Sequence, residues 1–122
     1  MTTVLVTGAT DGIGRQTAVD LVARGADVIV HGRDPDRVGD VVGELGGSTR
    51  GVVADFTSLT AVRSLAEDLA DAPLDVLINN AGTYAAERLV TVDGHELTWQ
   101  VNHLAGALLA VDSTVATPLL TR

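Results

Sequence analysis

The chain contains no cysteine and no lysine. Without cysteine it has no disulfide, no thiolate nucleophile and no sulfur ligand for a metal. The three histidines, His31, His95 and His103, fall on different predicted elements without metal-ligand spacing, so surface or capping roles are expected and no metal site is. Positive charge is scarce: 8 basic residues, every one an arginine, face 16 acidic ones, for a formal net charge of −8. No basic cluster occurs, which argues against nucleic acid and anionic membrane as partners, since both require a positive patch. Aromatic residues make up only 2% of the chain although hydrophobic residues make up 46%. A core built from Val, Leu, Ile and Ala follows, the composition of parallel strands covered by helices on both faces. No apolar run approaches the roughly 20 residues of a membrane span, and the first residues enter a strand pattern with no positive leader. A soluble cytoplasmic protein is the expectation. Its 122 residues are read as one domain (1–122), long enough to bury roughly 65% of its surface on folding.

Strand and helix periods alternate from the start. Thr3 to Val6 predicts a strand, and Ile13 to Arg24 a helix that Gly25 can stop. Ala26 to His31 is a second strand. Asp34 caps a helix with Pro35 at its first position, and Val38, Val41, Val42 and Leu45 recur at helical spacing before Gly46-Gly47. Gly51 to Ala54 gives a third strand, followed by a helix capped by Ser58, with Val62, Leu65, Ala66 and Leu69 inward and Pro73 at its end. Leu74 to Ile78 is the fourth strand. Residues 82 to 92 read as a loop, Asp93-Gly94 as a turn, and a last helix starts near His95 with Leu97, Val101, Leu104 and Leu108 on one stripe. Four β-α units with right-handed crossovers imply an α/β, Rossmann-like parallel sheet in the order 3-2-1-4 with helices on both faces. Strands 5 and 6 of a complete dinucleotide fold are not recognisable, so the domain reads as incomplete, with a divergent tail over 110–122. Strand 4 would then be an apolar edge that the tail, another copy or a longer protein must cover.

The segment Thr7-Gly8-Ala9-Thr10-Asp11-Gly12-Ile13-Gly14 lies between the first strand and the first helix. A helix N-terminus carries about half a positive charge and unpaired N–H groups, so it can hold a pyrophosphate even in an acidic chain. Gly8 permits the tight turn, and Gly12 and Gly14 remove side chains where backbone meets phosphate and helix meets strand. The alternative is a tight turn with no ligand.

Cofactor choice rests on the end of strand 2. NAD sites place an acidic side chain there, about 20 residues after the glycines. This chain has Val30-His31-Gly32-Arg33 instead, and Arg33 suits a 2′-phosphate, so NADP is favoured over NAD. Pairing with Asp34 or Asp36 is the rival role for Arg33. Arg15 is expected to be a solvated helix arginine.

The Thr-Gly-x-x-x-Gly-x-Gly spacing, together with Asn79-Asn80-Ala81-Gly82 closing strand 4, resembles the classical short-chain dehydrogenase/reductases. Thr91-Val92-Asp93-Gly94-His95-Glu96 and Val101-Asn102-His103-Leu104 are similar to the branch with retinol-dehydrogenase-like and protochlorophyllide-reductase-like enzymes. The likeness runs from residue 3 to about 109. It implies that Asp55 contacts the adenine ring, that Asn79, Ala81 and Gly82 line the cofactor and steady the central strand, and that Asn102 kinks its helix and holds a proton-relay water. Capping the next helix is the rival role for Asp55.

That family uses a serine, a tyrosine and a lysine four residues after the tyrosine. Tyr84, the only tyrosine, is followed four residues later by Arg88, and lies in the loop after strand 4. It is read as a substrate-side loop residue. Ser113 is not read as the serine, nor Glu67, Asp68 and Asp71 as an acid–base pair. The sequence thus predicts the NADP-binding portion of an oxidoreductase that acts on a small carbonyl or alcohol in complete form. The alternative is a naturally short, non-catalytic nucleotide-binding or homo-oligomerising module. A nucleotide-sugar epimerase is disfavoured because three residues, where those relatives have two, separate Gly8 from Gly12.

Overall fold

Four apolar segments pair side by side as the alternating pattern requires. They are β1 (Thr3–Val6), β2 (Asp27–Gly32), β3 (Arg50–Val53) and β4 (Leu74–Ile78), and all their pairings are parallel. The computed structural model describes residues 2–70, 74–112 and 115–120. Pro73 and Ser113 lie outside the described residues.

Register aligns Leu5 with Ile29 and with Leu77. These three face the helices α3 (Leu59–Ala70) and α5 (Ala105–Asp112), whose Val62, Leu65, Leu69 and Leu109 complete one buried cluster. The alternate residues Val4, Val6, Val28 and Val30 face the other way, against Ala18 of α1 (Gly12–Ala23) and Val38 and Val41 of α2 (Pro35–Leu45). Strands apolar on both faces therefore sit between two helical layers. Asp34 caps α2 as expected, its carboxylate accepting from the N–H groups of Asp36 and Arg37.

The sheet does not stop at strand 4. The order 3-2-1-4 holds, but Val115–Leu120 adds β5, parallel to β4, to give β3-β2-β1-β4-β5. This corrects the expectation of a four-stranded sheet with no fifth strand. The segment carries Pro118, which has no N–H for a ladder and belongs at a sheet edge, so its pattern did not read as a strand.

The last helix also differs. The run begins with α4 (Leu97–Trp99), widens into a π turn at Gln100–Leu104, and returns to α-helix in α5. Glu96 caps it, accepting from the N–H groups of Thr98 and Trp99 at 2.9 Å each, and those bonds hold its carboxyl below the usual range. A π turn inserts an extra residue and shifts the inward face. Gln100, Ala105 and Leu109 are fully buried, while the expected stripe residues Val101, Leu104 and Leu108 are partly buried.

Gln100 explains the shift. Its Nε2 donates to the Phe56 carbonyl at 3.0 Å and to Asp93 Oδ2 at 3.2 Å, and Thr91 Oγ1 donates to its Oε1 at 2.6 Å. Asp93 Oδ2 also accepts from the N–H of Leu59, so a turn remote in sequence helps to cap α3.

Candidate functional site

The C-terminal ends of β1 and β4 are joined by polar contacts that shape the glycine turn. Thr7 Oγ1 accepts from the N–H groups of Asn80 and Ala81, both at 2.9 Å, and donates to the Ile78 carbonyl. Asn80 Nδ2 returns the connection, donating to the carbonyls of Thr7 at 3.2 Å and Gly8 at 3.1 Å. A Cβ on Gly14 would stand 2.3 Å from both Asn80 Nδ2 and the Gly8 carbonyl oxygen, so helix and turn meet only because that atom is missing. Gly8 has φ +64° and would set a Cβ 2.8 Å from Cα of Ala81.

His31 forms the floor between β1 and β3. It is 3% exposed and stacks on Phe56 with ring centroids 4.3 Å apart. Gly8 N–H donates to Nδ1 at 3.0 Å, which leaves the proton on Nε2 to donate to the Ala54 carbonyl at 2.8 Å. Burial pushes its pKa down, against the smaller opposing effects of the Ala54 carbonyl and Asp55. The surface role expected for it is therefore corrected: it is a buried strut, and a lone polar residue in an apolar strand was the available signal.

Above this floor lies an open cleft of about 530 Å³. It runs from the glycine turn (Gly8, Thr10, Asp11, Gly12, Ile13) past Arg33, Asp34 and Arg37 to Asp55, and back to Asn80, Ala81 and Gly82. The cleft fits a dinucleotide on three structural grounds. Asp11 stands at the N-cap of α1 but makes no capping bond, so the first N–H groups of the helix are open to an anion. A side chain at Gly12 would meet nothing within 4 Å, so backbone there is accessible. Arg33 has no salt bridge among the described residues, so its guanidinium is free for a phosphate.

Nine of the sequence-derived candidates therefore converge: Gly8, Thr10, Asp11, Gly12, Ile13, Arg33, Asp55, Ala81 and Gly82 line the cleft. Thr7 and Gly14 shape it from behind. Asp55 Oδ1 holds the turn through the N–H and hydroxyl of Thr57, at 2.9 and 2.8 Å, and so orders the strand end that borders the cleft. Asn79 does not line it. That side chain is buried on the α5 side, close to Gly106. Arg15 reaches Glu44 of α2 instead of the cleft. Arg37 and Asn80 were not singled out from sequence, although Arg37 lies four residues after Arg33 and Asn80 within the quoted asparagine pair.

The model of the short chain dehydrogenase family matches residues 2–115. The chain belongs to the short-chain dehydrogenases. A candidate daunorubicin C-13 ketoreductase of Streptomyces sp. (strain C5) is 47% identical over 114 residues, which cover 88% of this chain and 40% of that protein. Retinol dehydrogenase 14 of Mus musculus is 40% identical over 124 residues, covering 88% of this chain and 37% of the relative. Among solved structures, a short-chain dehydrogenase from Sphingobium yanoikuyae in complex with NADPH superposes with a TM-score of 0.80 at 31% identity, covering 92% of this chain and 47% of that one. The chain thus spans less than half the length of these relatives.

Two more residues bear on what this short-chain dehydrogenase segment can do. Asn102, in the π turn, holds the loop beyond β4 with both ends of its amide: Thr83 N–H donates to Oδ1 at 2.6 Å, and Nδ2 donates to the Thr83 carbonyl at 2.9 Å. Tyr84 next to it is 85% exposed and is not among the residues lining the cleft. No group of three or more His, Asp or Glu side chains is placed to hold a metal among the described residues. No helix among them is long and apolar enough to cross a membrane.

Proposed function

We propose that this chain is the NADP-binding portion of an oxidoreductase, cytoplasmic and homo-oligomeric, that acts on a carbonyl or alcohol in its complete form. The observation that carries this reading is the cleft in which an uncapped helix N-terminus and an unpaired arginine face the same space. Bound nicotinamide supplies or accepts the hydride. The N–H groups that open α1 hold the pyrophosphate, and Gly8 and Gly14 let the backbone approach. Ile13, 81% exposed, covers the ligand with an apolar side chain. Asp55 borders the adenine, while Ala81 and Gly82 flank the opposite wall with no bulky side chain to obstruct it. Thr7 steadies the strand ends behind. Asn102 acts as a positioning residue by fixing Thr83 at the edge of the cleft. Exposed Leu89, Val90, Val92 and Trp99 support contact with a second copy.

Arg33 directs the choice towards NADP. At the end of β2 the guanidinium of Arg33 faces the cleft, while Asp34 accepts at Oδ1 from the N–H groups of Asp36 and Arg37 in capping α2. One charge-assisted bond to a 2′-phosphate is worth roughly tenfold to a hundredfold in affinity. Titration of this chain with NADPH and NADH, followed by melting temperature and nicotinamide fluorescence, is expected to show tighter NADPH binding. Indifference to both dinucleotides would overturn the proposal.

A second reading, a non-catalytic nucleotide-binding module of the same family, is supported by Tyr84, which is 85% exposed and outside the lining of the cleft. NADPH binding without carbonyl-dependent oxidation is expected of this chain in either case. A Tyr-x-x-x-Lys encoded in frame beyond Arg122 would favour the oxidoreductase, and a stop codon the module.

A further inference from the structure

We infer that Gln100 is a positioning residue of the cleft: its buried amide holds the π turn in register, so that Asn102, two residues on, fixes Thr83 at the cleft edge. The inference rests on the cleft being a dinucleotide site. Gln100, Val101 and Asn102 follow one another in the π turn and serve three different places. Gln100 is fully buried, Val101 lines the cleft, and Asn102 holds Thr83, which lines it too. An amide buried this deeply is costly unless its polar atoms are paired.

Both ends of this amide are paired, and in one orientation only. The Phe56 carbonyl and the Asp93 carboxylate accept and cannot donate, so the two N–H bonds of Nε2 point at them and Oε1 is left to the Thr91 hydroxyl. Exchanging the ends of the amide would set Oε1 against two acceptors. The turn that carries Thr91 and Asp93 is ordered by its own bonds. Asp93 N–H donates to Thr91 Oγ1 at 3.2 Å and Gly94 N–H to the Thr91 carbonyl at 3.0 Å, with Gly94 at φ +83°. Asp93 is also held by the N–H of Leu59 at the start of α3.

The backbone of the same residue opens the wide turn. Ala105 N–H donates to the Gln100 carbonyl, five residues back, where an α-helix reaches four. Without the side-chain bonds the run can return to α-helix. One residue advances an α-helix by about 100°. With Ala105 and Leu109 anchored in the core, straightening would rotate the preceding residues by that amount and carry Asn102 away from Thr83. The adenine end of the cleft does not depend on Gln100 in this way, because Asp55 orders its turn through Thr57.

The test uses this chain and its Q100M, T91V, N102A and Q100M/N102A variants. Methionine has nearly the length of glutamine and fills the space without the three bonds. T91V removes only the hydroxyl and is the milder variant, and circular dichroism checks that each is folded. The first readout is the Thr83 amide in heteronuclear NMR spectra, whose 2.6 Å bond to Asn102 Oδ1 slows its hydrogen exchange. Q100M is expected to shift that resonance and speed its exchange to the values seen in N102A, and T91V part of the way. The second readout is affinity. Q100M is expected to weaken NADPH about threefold to tenfold, and adenosine 2′,5′-bisphosphate, which fills only the adenine end, less than about twofold. Q100M/N102A is expected to bind NADPH no more weakly than N102A, because both changes act through one contact. An unmoved Thr83 resonance in Q100M, equal losses for the two ligands, or additive losses in the double variant would overturn the inference and leave the dinucleotide reading standing. Failure of the unaltered chain to bind NADPH would overturn both.

Discussion

The two asparagines that end β4 belong to different structural environments. Asn80 faces the glycine turn, where its amide donates to two carbonyls and its own N–H is taken by Thr7. Asn79, one residue earlier and so on the opposite face, buries both polar atoms of its amide with no hydrogen-bond partner among the described residues. A buried polar group left unsatisfied costs about 1–3 kcal/mol. At the end of β4 the residue facing the glycine turn is thus held by directional polar contacts, and the residue facing α5 by packing that tolerates a polar misfit. The difference assigns precision to the side where a ligand must be met.

The largest expected effect separates those sides by steric means. Gly14→Ala would drive a methyl group into the Gly8 carbonyl, a backbone atom that cannot swing aside, and into the amide that anchors β4. Overpacking of this kind typically costs about 1–3 kcal/mol and occasionally more, and the upper end is expected here with loss of dinucleotide binding. Gly106→Ala on the α5 side sets its Cβ 2.9 Å from Asn79 Oδ1, the end of a side chain and not backbone, and is expected to cost about 1 kcal/mol. Urea denaturation of the two variants gives the comparison. Equal costs would remove the distinction between the two faces.

A second test titrates the cleft floor. Neutral His31 accepts from Gly8 and donates to Ala54, and a proton on Nδ1 would set two N–H groups against each other. Burial lowers its folded pKa below the unfolded value of about 6.5, so the unfolded chain binds the extra proton first as pH falls. The contribution of His31 is therefore complete above about pH 6.5 and declines as pH drops towards the folded pKa, by at most about 1.4 kcal/mol per pH unit. His31→Gln keeps an acceptor and a donor without titrating. The stability difference between wild type and this variant is expected to shrink between about pH 7 and pH 5. Parallel pH profiles would show that His31 does not link the turn to β3.

The legibility of the chain follows the same division. The first three β-α units could be read from Leu5, Ile29, Val38 and Val41 because strand and helix periods impose apolar residues at fixed spacing. The glycine turn could be read because its backbone demands residues of one kind at fixed places. What was hidden depends on contacts between segments distant in sequence. Gln100 is buried because Phe56, Thr91 and Asp93 converge on it, and no helical period encodes that convergence. The π turn it occupies rotates the face of the last helix, so a regular stripe named Val101, Leu104 and Leu108 at the edge of the core and missed Gln100, Ala105 and Leu109 at its centre. β5 was hidden because its pairing with β4, and not its own pattern, makes it a strand. Arg37 was passed over because only the fold brings the first turn of α2 to the cleft, beside Asp11, 26 residues away in sequence.

The smallest expected effect tests the comparison at its weakest point. Leucine has nearly the outline of asparagine, so Asn79→Leu removes two unpartnered polar atoms while keeping most of the volume beside Gly106 and the α5 cluster. Exchanging an unsatisfied buried amide for an apolar group of similar shape is nearly neutral or stabilising, and a change between zero and about 1 kcal/mol in favour of folding is expected. The same exchange at Asn80 breaks the bonds to the carbonyls of Thr7 and Gly8 and is expected to cost about 2 kcal/mol. Thermal and urea unfolding of the pair measure both. If Asn79→Leu destabilised this chain as much as Asn80→Leu, the amide of Asn79 would have a partner in solution, and the α5 side would be as polar in its construction as the cleft side.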